Sequence, residues 1–163
     1  MDAERMVEEL GNFADDIGLF YEQLGFPRIW GRVLGWLLVC QPDIQSAEEL
    51  ATALHASRGS VSMATQALIR TGMVERQTVR GDRRTYYRIR PGAWTTVFED
   101  QTRIATELRG LAERGLILLN DEPAEHRDRM EELHDLAAFY EREAAILIKR
   151  WHSQHQHTAG EPH

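Results

Sequence analysis

A lone cysteine, five prolines and a single lysine mark what this 163-residue chain does largely without. With only Cys40, no intramolecular disulfide can form. The longest strongly apolar run, Val33 to Cys40, is broken by Gly35 and falls far short of the ~20 residues a membrane span requires. The opening MDAERMVEEL is acidic and has no apolar core of the signal-peptide kind. These absences predict a cytoplasmic protein with no membrane partner. Catalytic signatures are missing as well: there is no glycine-rich phosphate loop, no paired cysteine and no H-E-x-x-H. The expectation is no enzyme, no cofactor and no metal site. His152, His155 and His157 in HSQHQH could bind a transition metal, but no cysteine accompanies them, and a frayed tail is the simpler reading. Cys40 reads as core packing, with redox sensing as the alternative. Lys149 is the one basic residue of nineteen that is not arginine; coding bias explains that equally well, so no function follows from it.

What the chain does have is an uneven charge. Its formal net charge is -7, yet residues 55–91 carry +6 between flanks of -7 and -6. The island contains TVRGDRRTYYRIR, in which five of thirteen residues are arginine. Hydrophobic residues at 42% and charged residues at 28% otherwise place the chain among ordinary globular domains.

Apolar periodicity supplies the architecture. Residues 6, 10, 13, 17, 20 and 24 form a narrow helical seam, ended by Gly25 and Pro27. RIWGRVLGWLLVCQ is apolar on most faces and reads as a buried helix, with Gly31 and Gly35 on one face permitting close packing. Ser46 opens a third helix through a capping box with Glu49. Ser57 caps a fourth, and Gly72 supplies the left-handed residue that ends it. MVERQTV and RRTYYRIR then alternate around Gly81-Asp82, which predicts a hairpin with Val74 opposite Ile89, Glu75 opposite Arg88 and, for a two-residue turn, Arg80 opposite Arg83. Two long helices follow, divided by NDEP at 120–123. The second carries a strict seam at 130, 133, 137, 140, 144, 147 and 151.

The fold class expected is therefore mainly α with a small β-hairpin wing: a winged helix-turn-helix over 25–91, a helical dimerisation region from 1–24 and 92–152, and a flexible tail over 153–163. Phe13, Leu133, Tyr140 and Leu147 are the seam residues expected to meet a second copy. On the helix after Ser57, Val61, Ala64 and Leu68 face inward, while Arg58, Ser60, Ser62, Met63, Gln66 and Arg70 face out. Glutamine can read adenine and arginine guanine in a major groove, and a helix N-terminus favours phosphate. Arg80, Arg83 and Arg84 at the hairpin tip suit phosphate or a minor groove. Asp82 is either a turn former or the partner that aims a neighbouring arginine. Phe20, Phe26, Trp30, Trp94 and Phe98 are either core or the lining of an effector pocket, with Arg32 placed to orient a head group. A protein-interaction winged helix without DNA is the alternative function.

The stretch ASRGSVSMATQALIRTGMVERQTVRGDRRTYYRIRP resembles the MarR family of winged-helix regulators, in its GbsR-like branch. The resemblance rests on S-x-x-x-V-S at Ser57 to Ser62, on TGMVER and on GDRRTYY. It is similar in particular to mycobacterial repressors of MmpS–MmpL efflux systems, through GRVLGWLLVC, SAEELATALHAS and GDRRTYYRIRP. It spans about residues 8–150 and is strongest over 25–91. It implies a homodimeric repressor on pseudo-palindromic double-stranded operator DNA, with recognition helices in major grooves and wings in minor grooves. It also implies that Asp82 and Arg84 are the wing pair, with Arg84 reaching DNA. Release by a small lipophilic or cationic effector, and control of an efflux or lipid-export operon, are further implications.

Overall fold

Glycine decides how the first two helices meet. The computed structural model describes residues 3–156, and in it α1 (Ala3–Gln23) lies along α2 (Arg28–Val39). A Cβ on Gly31 would strike the Ile17 carbonyl, and one on Gly35 would stand 2.9 Å from the Ala14 Cα. The expected close packing across Gly31 and Gly35 is thus present, and α1 is the helix that uses it. Ala14, Val33, Leu34 and Leu37 are buried in consequence.

Three helix ends share one device. After α1, α3 (Ala47–Ala53) and α4 (Arg58–Arg70), the chain turns through a left-handed residue, and two amides bond back to carbonyls of the last turn. Gly25 and Gly72 supply that residue for α1 and α4, as the sequence suggests. For α3 it is His55, at φ 46°, and Ala56 N donates to Ala51 O at 2.9 Å. With no glycine there, nothing in the local sequence marks the end of α3, which falls at Ala53. The expected capping box is in place: Ser46 Oγ accepts from Glu49 N, and the Glu49 carboxylate accepts from Ser46 N at 2.7 Å.

The hairpin has the expected register but a different tip. β2 (Val74–Thr78) and β3 (Thr85–Ile89) pair Val74 with Ile89 and Glu75 with Arg88, and the last pair is Thr78 with Thr85. Arg80 is not opposite Arg83 in the ladder. The turn runs from Val79 to Asp82, closed by Asp82 N donating to Val79 O at 3.0 Å, with Gly81 at φ 88° in the third position, where a type II turn needs positive φ. Asp82 then captures the Arg84 amide, which draws residues 82–84 out of the ladder. A third strand, β1 (Gln45–Ser46), pairs with β3 and gives the order β1-β3-β2. Two residues are too few for a period, so the sequence offered no signal for it.

The chain divides into two compact units, one up to Ala93 and one from Trp94 on. The first holds α1 to α4 and the sheet, around a core of Leu34, Leu50, Leu54, Val61, Leu68 and Val74. Packed along α2, α1 belongs to this unit; the dimerisation role expected of it concerns a second chain. The second unit is a helical hairpin of α5 (Ala93–Leu118) and α6 (Ala124–Gln156). Glu141 accepts from Thr106 and from Arg109, and Trp151 Nε1 donates to Thr95 Oγ1 at 3.1 Å. Its most buried residues are alanines: Ala105, Ala112, Ala137 and Ala144. α6 remains helical through Gln156 rather than giving way to a tail at 153, and residues 157–163, His157 among them, lie outside the described residues. Among the described residues, no helix is long and apolar enough to cross a membrane.

Candidate nucleic-acid interface

α4 follows α3 after a short turn, and Ser57 caps it by accepting from Ser60 N at 3.1 Å. Val61, Ala64, Thr65, Ala67 and Leu68 are buried. Arg58, Ser62, Met63, Gln66 and Arg70 are exposed and Ser60 is half-exposed, so the face expected to read bases is the face left to solvent. Met63 is 65% exposed on that face. Gln66 Nε2 donates to Ser62 Oγ at 3.3 Å, one turn back along that face.

Seven of the eight arginines of the basic island fall into two sets. Arg58, Arg84 and Arg88 hold carboxylates: Glu48 at 2.7 Å, Asp82 at 2.8 Å and Glu75 at 2.7 Å. Arg70, Arg76, Arg80 and Arg83 have no carboxylate partner among the described residues. An exposed guanidinium without an intramolecular partner has less to give up when a phosphate oxygen arrives. The pairing of Glu75 with Arg88, expected from the register, is geometrically present, and Arg88 and Gln77 hold the Glu75 carboxyl below its ordinary value.

Asp82 and Arg84 pair through the full fork. Arg84 Nε donates to Oδ2 at 3.0 Å and Nη2 at 2.8 Å, while the Arg84 backbone N–H donates to Oδ1 at 2.9 Å. These donors, with the Tyr86 hydroxyl, hold the Asp82 carboxyl well below the usual carboxylate range. Asp82 is therefore both turn former and arginine partner, the two readings that the sequence left open.

The first turn of α3 joins the two candidate DNA elements, which the sequence reading missed. Adjacent carboxylates face opposite ways: Glu48 takes Arg58 at the start of α4, and Glu49 Oε1 stands 3.6 Å from Arg84 Nη1 in the wing. Glu49 was legible as a cap, but no linear spacing relates it to a residue 35 positions away in the chain.

The aromatic residues lie in both units. In the first, Phe26 stacks on Trp30 at 5.8 Å between centroids, with Tyr21 and Phe20 adjoining. Arg32 is committed to Asp15 and donates to the Leu54 carbonyl at 2.8 Å, so its guanidinium ties α1 and α2 to the end of α3. In the second unit, Trp94 and Phe98 line a groove of about 430 Å³ with Phe139, Ala144, Ile148 and Trp151. Tyr140 and Leu147, expected at the dimer seam, line that same groove. Phe13 and Leu133 are exposed within the single chain. Cys40 is buried, and burial pushes its thiol up to about 11, which disfavours the reactive thiolate.

Comparison with known proteins bears on both units. A model of the MarR family matches residues 24–85, and a model of the MmpR5-like MarR family transcriptional regulators matches residues 92–155. The chain is 42% identical over 143 residues to the HTH-type transcriptional regulator MmpR5 of Mycobacterium tuberculosis (strain ATCC 25618 / H37Rv), covering 88% of this chain and 87% of that protein. A crystal structure described as that of a transcriptional regulator matches with a TM-score of 0.77 and 41% identity, over 89% of this chain and 99% of the other.

Proposed function

The chain belongs to the MarR family of transcriptional regulators, and from that premise we propose that it is a homodimeric repressor whose α4 and wing hold operator DNA. The observation that carries this reading is the pairing of an exposed, acid-free α4 face with arginines that lack intramolecular partners. α4 enters the major groove, where Gln66 and Arg70 meet base edges and Met63 offers apolar contact to a thymine methyl. Ser60 and the free amides of the first turn take phosphate. Arg80 and Arg83 engage backbone phosphate, and Arg84 enters the flanking minor groove.

The acidic flanks give direction to that encounter. Residues 1–54 carry -7 and 92–163 carry -6, against +6 between them. Long-range repulsion opposes approach by the flanks, while the basic island is attracted. An effector that is lipophilic or cationic enters the groove lined by Trp94 and Phe98 and lowers operator affinity. Tyr140 and the Glu143 carboxylate at the same groove suit a cationic group. The regulated genes are those of an efflux or lipid-export operon, a reading that rests on the resemblance to repressors of MmpS–MmpL systems rather than on any feature of the site.

Binding to DNA from upstream of its own gene, measured by fluorescence anisotropy at two salt concentrations against a scrambled duplex, tests the proposal. Specific binding whose log K falls steeply with log salt is expected. Equal affinity for both duplexes would remove the repressor reading and leave the interaction-module alternative.

A further inference from the structure

The Asp82–Arg84 pair is local: both residues belong to the exposed loop after the turn. A contact between residues two apart fixes one against the other but leaves their common orientation free. Two side chains outside the loop tie this pair to the rest of the protein among the described residues. The Tyr86 hydroxyl donates to Asp82 Oδ2 at 2.7 Å, and Glu49 Oε1 approaches Arg84 Nη1 at 3.6 Å. Tyr86 is the firmer of the two. It is 7% exposed and belongs to the central strand, paired to Ser46 on one side and Gln77 on the other. Its ring also lies beneath Arg84, with Cζ 5.1 Å from the ring centroid.

The orientation of the guanidinium follows from these anchors. Its Nε and Nη2 edge is turned to Asp82, and its Cζ lies over the Tyr86 ring. The Nη1 end makes no hydrogen bond within 3.5 Å among the described residues, and the side chain remains 50% exposed. A planar fork already held in one direction loses less freedom on meeting a partner than a free one. Arg80 and Arg83 have no such anchorage.

We propose that Tyr86 is a positioning residue: from the centre of the sheet, its hydroxyl fixes Asp82 and its ring seats Arg84, which together set the direction of the wing arginine. The consequence for DNA rests on the reading above that Arg84 meets DNA. Nothing in the alternation TYYRI distinguishes Tyr86 from Tyr87, since either could be the inward residue of a strand.

Tyr86→Phe is the discriminating variant, because it keeps the ring and removes only the hydroxyl. Two measurements are paired. The first is the ¹⁵N–¹H resonance of Arg84 Nε in the DNA-free protein, with far-UV circular dichroism to verify the fold. The second is operator affinity of Tyr86→Phe, Arg84→Ala and the double variant. We expect the Nε resonance to shift or broaden and affinity to fall about fivefold, the scale of one ordinary hydrogen bond of about 1 kcal/mol. In the Arg84→Ala background the tyrosine change should cost nothing further. An unmoved Nε resonance would overturn the proposal, as would equal losses in both backgrounds, which would mean that Tyr86 acts through the fold. If the resonance moves but Arg84→Ala binds operator like the parent, the positioning role stands and the assignment of Arg84 to DNA falls.

Discussion

The two units of this chain bury their apolar residues in opposite ways. The unit up to Ala93 encloses Leu34, Leu50, Leu54, Val61 and Leu68 almost completely, with helices closing on a small sheet. The helical hairpin from Trp94 on buries alanines and leaves Leu118 84%, Ile117 73% and Leu147 63% exposed. Two helices can cover only one stripe each on the other, and the small residues on those stripes let them approach. Large apolar residues along both helices are left exposed, and exposed apolar surface in such amount suits an interaction site. The first unit thus has an enclosed core of its own, although α1 and the turn after it leave Phe20 53%, Leu24 55% and Phe26 46% exposed, while the second has no enclosed core of large side chains. That difference supports the proposed dimer, for which α5 and α6 offer one exposed apolar surface and α1 another.

Core truncation should separate the units most clearly. Leu34→Ala, in the enclosed core, is expected to lose about 3 kcal/mol of stability and to lower the melting temperature at every protein concentration. Charge on the open face should act differently: Leu133→Glu or Leu147→Glu should give monomers in sedimentation velocity and a melting temperature that no longer rises with concentration. An intact dimer in both variants would move the interface elsewhere. Smaller again are the wing charges. Arg80→Ala and Arg83→Ala should each lower the salt slope of operator binding by about one, without changing sequence preference. Gln66→Ala should instead relax preference at one base pair and leave the slope alone.

The smallest effect concerns acid. Arg84 and Tyr86 hold the Asp82 carboxyl below its ordinary value, so its contribution to stability is complete above the unfolded value of about 4. It is lost as pH falls through the lower folded value. The stability difference between the parent and Asp82→Asn should therefore be constant near neutrality and shrink below about pH 4, as chemical denaturation at several pH values would measure. A difference that grew in acid would reverse the assignment.

Much of this arrangement was legible in the chain itself, where a local rule applied. Helix seams, the Ser46–Glu49 capping box, the glycine ends of α1 and α4 and the pairing of Val74 with Ile89 all follow from period or spacing. So does the exposure of Arg58, Met63, Gln66 and Arg70 on one face of α4. Local rules failed at His55, where a non-glycine residue takes the left-handed position, and at the wing tip, where an Asp82 side chain replaces a ladder bond. They were silent on β1, whose two residues are strand only because β3 lies beside them.

Fold class, the basic island and the residues of the exposed face of α4 were determined by the sequence alone, because backbone periodicity and charge are properties of neighbours in the chain. The tertiary structure decided the rest. It set Glu48 against Arg58 and Glu49 toward Arg84, put Tyr86 rather than Tyr87 beneath the wing arginine, and left Arg80 and Arg83 without partners. Those are contacts between distant segments, and only the packing of α3 and the closing of β3 between β1 and β2 bring them within reach.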